Sequence, residues 1–335
     1  MVREIISHKA PRHADDSLAI LLAKEKYPEA EVKYIHPQDQ SLEALRENPQ
    51  VMLVDVGQDY NVAKKNYDHH QDTSLPSSLV LVLRDEIGID PSQLPEKLRK
   101  AIETIDRIDR EGFPKVAKEE GIKATDMGRI IQGVVLSAIN DHPNPKELFV
   151  EDKPVLEILK EAVEEPMTPQ TADLISKLVS EGQLKYENIE HPYVQIWEGL
   201  LGRIKREIVE PKINEEIRKR KEILEAIRNA VEVDEGVYVI TKAIPAGEFF
   251  KRNPDAKLLI TPNAMNPNHT SIVKNTANPA TAEIDLKKIY EEVPALAGRE
   301  VFTHKAGFIT VVDMPLEEVV EALYPGKKRN RKPGR

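Results

Sequence analysis

Apolar and polar residues follow two rhythms along this chain. The first six residues after Met1 are β-rich around Ile5 and Ile6, which predicts a short buried strand over 2–7. Leu18, Ala19, Leu21 and Leu22 recur at helical spacing, which predicts a helix over 17–26. Asp15 or Asp16 could cap its N-terminus. A strand is expected over 31–35 and a short helix over 42–47. The run VMLVDV at 51–56 is apolar except for Asp55, as expected of a central parallel strand covered on both faces. A further short segment ends at 66–70, and 79–87 and 94–108 read as helices. Strand and helix thus alternate, which predicts an α/β domain over 1–124 with a mostly parallel sheet.

The pattern then changes twice. Residues 125–234 read as a helical connecting region, with helical periodicity over 124–140 and 154–162. A long charge-rich stretch over 198–232 is expected to be interrupted at Pro211. From 235 to 326, strands over 237–241, 258–261, 271–273 and 308–312 mix with helices over 286–292 and 316–324. This predicts a second, smaller α/β domain. No internal repeat is evident.

A length of 335 residues fits about two domains. No run approaches 18 apolar residues, so no membrane-spanning helix is expected. The opening MVREIISHK lacks a signal-peptide layout, and the expectation is a cytoplasmic protein. Cysteine is absent, which excludes disulfides, thiolate metal sites and thiol nucleophiles. Any metal or acid–base chemistry must rest on nine His and 57 acidic residues. Six of the last ten residues are basic and none is acidic, so the other 325 carry −15 against a whole-chain −9. Residues 327–335 read as a disordered basic tail. An acidic body argues against coating nucleic acid by bulk charge, but not against a local metal site that admits phosphate.

Four polar clusters stand out. They are His8 with His13, Asp15 and Asp16 after the first strand; Asp55; Asp68-His69-His70; and Asp106 with Asp109 near a helix end. Taken singly, such residues are ordinary caps, turns or helix-surface acids. Asp55 is harder to place so, because an acid ending a buried strand is costly without a partner. Ligands gathered from several strand ends form the mixed imidazole–carboxylate shell of a divalent cation, and two such cations clamp a phosphoryl displacement.

Tyr67-Asp68-His69-His70-Gln71 carries the triplet of the DHH phosphoesterase superfamily. Val54-Asp55-Val56-Gly57 precedes it, and His8 with His13-Ala14-Asp15-Asp16 opens the series. The ordered set resembles the melanocyte-proliferating-gene family of DHH-like, metal-dependent hydrolases. Ser77-Ser78, Ile105-Asp106-Arg107-Ile108-Asp109 and Thr303-His304-Lys305-Ala306-Gly307-Phe308 extend the likeness. The chain departs from the pattern at Lys9-Ala10-Pro11-Arg12, where a glycine is usual, at Asp16, and at Arg110-Glu111 before Gly112.

The resemblance implies two divalent cations, manganese before magnesium or cobalt. His8, His13 and Asp55 would hold one; Asp15, Asp55, His69 and either Asp106 or Asp109 the other. Asp55 would bridge, His70 would face the phosphate, and Asp68 would orient a histidine. Asp16 would orient a ligand or cap the helix. Lys9, Arg12, His304, Lys305 and Gly307 are candidates for substrate contact, with Arg252 and His269 weaker ones. The second domain would supply substrate contacts, as in DHH enzymes.

The implied function is a manganese-dependent phosphodiesterase, a 3′→5′ exonuclease on RNA or single-stranded DNA. One alternative is a hydrolase of short oligonucleotides, cyclic dinucleotides or another small phosphate compound. Another is a catalytically silent nucleic-acid-binding or scaffold subunit, against which stands the competent residue at every ligand position. Aromatics are 5% of the chain with one tryptophan, Trp197, so long-tract stacking platforms are not evident. Nucleic acid or an oligonucleotide is the expected partner; a membrane is not. The oligomeric state is left open, a homodimer among the options.

Overall fold

The computed structural model describes residues 1–9, 13–326 and, for the backbone alone, 330–331. It divides into two compact units, Met1–Arg218 and Lys219–Arg335. The first unit opens with β1 (Glu4–His8), α1 (Ala14–Lys26), β2 (Glu31–Ile35), α2 (Leu42–Arg46) and β3 (Val51–Val54). The short strands β4 (Tyr60–Asn61) and β5 (Asn66–Tyr67) follow. Helix α3 (Ser78–Leu81) widens into π-type turns over Val82–Ile87. Then come α4 (Glu96–Glu111), α5 (Phe113–Glu120), α6 (Asp126–Asp141), α7 (Pro145–Leu148), α8 (Val155–Glu164), α9 (Pro169–Gly182) and α10 (Pro192–Leu201).

Strand order is β2-β1-β3-β5-β4, parallel except for β4 at the edge. The expected α/β class with a mostly parallel sheet is what forms. Alternate residues of the strands enter opposite layers. Ile5, Met52 and Val54 join the main core, while Ile6, Val51 and Leu53 pack with Leu42 on the α2 side. Burial on both faces explains the uninterrupted apolar run of β3. Helix α1 is apolar nearly all round, with Leu18–Ala23 at most 1% exposed, because α3, α4, α6 and α8 surround it. The helices of 126–201 therefore complete the same core and do not form a separate connector.

Other expectations shift for local reasons. β3 stops at Val54 because Asp55 takes a left-handed conformation, φ 56°. Helix α1 starts at Ala14, which puts Asp15 and Asp16 inside its first turn. The 198–232 stretch breaks at Gly202–Lys205, between α10 and α11 (Arg206–Arg228), whereas Pro211 lies within α11. A proline one turn in removes one backbone bond and the helix tolerates it. The boundary between the units also falls within α11.

The second unit adds β6 (Val231–Asp234), β7 (Val237–Val239), α12 (Ala246–Arg252), β8 (Leu258–Pro262) and β9 (Thr270–Lys274). α13 (Ile289–Glu292), β10 (Glu300–Thr303), β11 (Ile309–Val312), α14 (Leu316–Leu323) and β12 (Asn330–Arg331) complete it. Its sheet runs β10-β11-β9-β8-β7-β6-β12 and is antiparallel except for β7 with β8. α13 covers only the end of the helix expected over 286–292. β12 pairs with β6 inside the segment expected as a disordered tail. The other residues of that tail, and Arg12 of the first loop, lie outside the described residues. No helix among the described residues is long and apolar enough to cross a membrane.

Candidate metal centre

β1, β3 and β5 are parallel neighbours, so their carboxyl ends lie side by side. With strands about 4.8 Å apart, consecutive strand ends can reach one point. His8 ends β1, Asp55 follows β3, and Asp68-His69-His70 follows β5. The N-terminus of α1 adds His13 and Asp15, and the last turn of α4 adds Asp109.

Asp55 sits at the middle. Its Oδ2 lies 3.2 Å from His8 Nε2, and its Oδ1 lies 3.3 Å from His69 Nε2 and 3.7 Å from His70 Nδ1. His69 Nε2 is also 2.8 Å from Asp109 Oδ2, and His13 Nδ1 is 3.7 Å from Asp109 Oδ1. Three sets of donor atoms close to within 4.8 Å: His8, His13, Asp55; Asp55, His69, His70; and His13, Asp15, Asp109.

The backbone is bent to make this geometry. A left-handed aspartate is strained, and such strain persists where the surroundings over-determine it. Here the Asp55 N–H donates to the Tyr67 carbonyl at 3.1 Å, and the Ser78 hydroxyl donates to Asp55 Oδ1 at 3.0 Å. Gly57 has φ 108°, which favours glycine, and a Cβ there would meet Leu53 Cδ1 at 3.0 Å. The next N–H, of Gln58, donates to Asp68 Oδ2 at 2.6 Å and ties the two motifs together. β5 is anchored from below, where the buried Tyr67 hydroxyl donates to Glu86 Oε2 at 2.7 Å.

Several groups orient others. The His8 ring puts Nδ1 2.7 Å from the Lys9 carbonyl, which directs Nε2 toward Asp55. Asp68 Oδ1 lies 2.6 Å from His70 Nδ1 and holds that half-exposed ring. Asp16 is buried; its Oδ1 accepts from the His13 N–H at 2.9 Å, and its Oδ2 lies 3.5 Å from His8 Nε2. It therefore caps α1 and also faces a histidine.

The two acids of α4 separate. Asp109 faces His69 and His13, whereas Asp106 accepts from the Ser77 N–H at 2.6 Å and pairs with Arg110 at 2.6 Å. Asp106 thus anchors the start of α3 and is already occupied. Sequence reasoning places Ser77-Ser78 in the motif series but gives Ser78 no part in holding Asp55, and it passes over Gln58 altogether.

The electrostatics match a site for cations. Burial pushes the Asp15 carboxyl well up, and Asp55, Asp109 and Asp16 push the same way. Burial, then Asp55, pushes Asp16 up to about 7. Asp55 goes down despite burial because His69 and His8 flank it. The Asp55 carboxylate raises His8 to about 9. His69 rises to about 10 against its burial, through Asp109 and Asp55. Both Asp15 oxygens, Asp55 Oδ2, His69 Nε2 and Asp109 Oδ2 are buried without a hydrogen bond. Buried polar atoms are ordinarily satisfied, so this concentration of exceptions fits ligands of a metal. Hard oxygen and imidazole donors suit manganese, magnesium or cobalt.

The remaining candidates lie elsewhere in the chain. Lys9 is exposed beside His8. Gly307, φ 66°, sits in the β10–β11 hairpin loop, where its N–H donates to the His304 carbonyl at 2.8 Å; the turn itself accounts for glycine. The His304 ring packs on Phe308 at 4.2 Å, and Lys305 is exposed. His269 lies 3.2 Å from Asp313, and Arg252 is exposed at the end of α12.

Residues 4–77 match the model of the MYG1_exonuc family, described as an uncharacterised protein family (UPF0160). No curated protein matches the chain. Among solved structures, the pGpG-specific phosphodiesterase PggH from Vibrio cholerae is 13% identical, with 97% of this chain and 98% of that one covered and a TM-score of 0.41. RecJ in complex with Mn2+ from Thermus thermophilus is 14% identical over 97% of this chain and 53% of that one, TM-score 0.33. The DHH domain of a protein from a family of ribosomal proteins is 14% identical over 96% and 85%, TM-score 0.33. The stretch that matches this family's model, residues 4–77, carries His8, His13, Asp15, Asp55, Asp68, His69 and His70.

Proposed function

We propose that the first unit is a phosphodiesterase dependent on divalent cations. The observation that carries this is the convergence of His8, His13, Asp15, Asp55, His69 and Asp109, among which both Asp15 oxygens, Asp55 Oδ2, His69 Nε2 and Asp109 Oδ2 are buried without a hydrogen bond. His8, His13 and Asp55 are proposed to hold one cation; Asp15, Asp55, His69 and Asp109 the second. Asp55 is shared. When bound, such a pair supplies an ionised water and draws charge from the phosphoryl group.

The protein's own part is positioning. Ser78 and the Asp55 backbone bonds hold the shared carboxylate in its strained orientation. Asp68 fixes His70 through Nδ1 and holds its pKa above the ordinary histidine value. His70 is thereby proposed to meet a phosphate oxygen. Lys9 is proposed to add charge at the same mouth. His304, Lys305 and Gly307 of the second unit are proposed to contact the rest of the substrate.

The finer reading is an exonuclease working 3′→5′ on RNA or single-stranded DNA, with manganese as the ion. The similarity of residues 4–77 to the MYG1_exonuc family model supports it. The test is hydrolysis of a dinucleotide and of a ~20-nucleotide strand with Mn, Mg or Co, beside the Asp55→Ala variant. Loss of activity on chelation and in D55A is expected, with the strand turned over faster. Full activity in D55A overturns the two-metal reading, and faster turnover of the dinucleotide overturns the exonuclease.

A further inference from the structure

We infer that the apolar cavity opening from the metal centre is a pocket for the nucleobase next to the attacked phosphate. The inference rests on the phosphodiesterase reading for the phosphate, and on the cavity alone for the base. The cavity holds about 440 Å³ and lies wholly within the first unit. That is in the size class of small-ligand sites, about 300–1,000 Å³.

His13, Asp15 and Asp109 form one end of the cavity, and all three belong to the candidate centre. A group esterified to a phosphate held there has this cavity as its neighbour. The wall beyond them includes Ile105, Ile108, Phe113, Tyr193 and Trp197, with Gln132 among them. The aromatic rings make one continuous series. Phe113 and Tyr193 are 6.2 Å apart and tilted by 41°, and Tyr193 and Trp197 are 6.2 Å apart edge-on. These rings come from α10 and the start of α5, far in sequence from the metal motifs.

The wall suits a flat ring with a polar edge. A sugar or bare phosphate would lose its hydration against isoleucine and phenylalanine without replacement. A base keeps its faces on apolar and aromatic surface and needs a partner only at its rim. Gln132 is placed to be that partner. Its Oε1 accepts from the Tyr193 hydroxyl at 3.1 Å, which orients the amide and leaves its NH2 as donor. Lys123 and Arg129 also line the cavity and are exposed; Arg129 is paired with Asp126 at 2.7 Å, so Lys123 is the cation placed for a further phosphate. The scarcity of aromatics in the chain makes their grouping here more telling.

Trp197 is the only tryptophan and lines this wall, so its fluorescence reports occupancy. The full chain is titrated with adenosine 5′-monophosphate and with ribose 5-phosphate. Saturable change with the first and none with the second is expected; equal responses, or none to either, overturn the inference. In parallel, kcat/KM is compared for a dinucleotide and for the same compound made abasic at each position in turn. One abasic position should lower kcat/KM about tenfold, within the range of base-on-aromatic stacking. Ala124→Phe, at the cavity lining, should lower kcat/KM for the intact compound more than for that abasic one. If no phosphodiester is cut, the fluorescence result still decides the pocket. If intact and abasic compounds are cut alike and fluorescence is unmoved, the pocket falls and the phosphodiesterase stands.

Discussion

His69 Nε2 and Asp109 Oδ2 stand 2.8 Å apart, both buried, and neither takes part in a hydrogen bond. A buried ion pair is stabilising only with good geometry. Two groups so close yet misaligned are better suited to serve one cation than each other. Asp106, one turn earlier on α4, already has Ser77 and Arg110 as partners.

The two acids should therefore part on substitution. Asp109→Asn is expected to lower metal-dependent hydrolysis by about a hundredfold or more while leaving the melting temperature nearly unchanged. Asp106→Asn should instead cost about 1–2 kcal/mol of stability, from the charge-assisted bonds to Ser77 and Arg110. Paired assays of hydrolysis and thermal unfolding check this. The reverse pattern would exchange their roles.

Divalent cations should stabilise the protein, because the ligands are gathered only in the folded chain. Binding to the folded state alone contributes about 2.7 kcal/mol at a hundred times Kd. For a unit of this size that is a rise of roughly 5–10 °C. Calorimetry with manganese, with and without chelator, measures it. Asp55→Ala should abolish the rise, and a rise that survives in D55A would place the ion elsewhere.

Gly57→Ala should cost about 1–3 kcal/mol, since a φ of 108° strains any side chain and its Cβ would press on Leu53. Gln58 follows directly and braces Asp68, so activity should fall too. Denaturant unfolding of G57A reads the first effect; unchanged stability would show that the turn relaxes.

Glu198 on α10 is 3% exposed, and burial pushes its carboxyl up to about 7 from an ordinary 4.5. A raised acid binds its proton more tightly in the folded state. Its stabilising share is complete below about pH 4.5 and is lost as pH rises through 7. Glu198→Gln keeps the group neutral, so its stability relative to the parent should improve from pH 5 to pH 8 by up to about 3 kcal/mol. Parallel stability profiles would mean that Glu198 is solvated.

Much of this protein is legible before folding. The apolar run of β3 and the 3.6-residue spacing of α1 follow from burial, and local periodicity records burial directly. The ordered motifs also name the candidate ligands, because the chemistry requires those residue types at strand ends.

What the sequence by itself determined is therefore the α/β alternation and the set of groups available for metal. The tertiary structure decided which of them meet. It separated Asp109 from Asp106, although both lie on the same helix three residues apart, because Ser77 and Arg110 claim one of them. It ended β3 at a strained Asp55, merged the helical middle with the first core, and brought Phe113, Tyr193 and Trp197 into the cavity that His13, Asp15 and Asp109 also line. Those outcomes depend on contacts between residues far apart in the chain, which no local pattern carries.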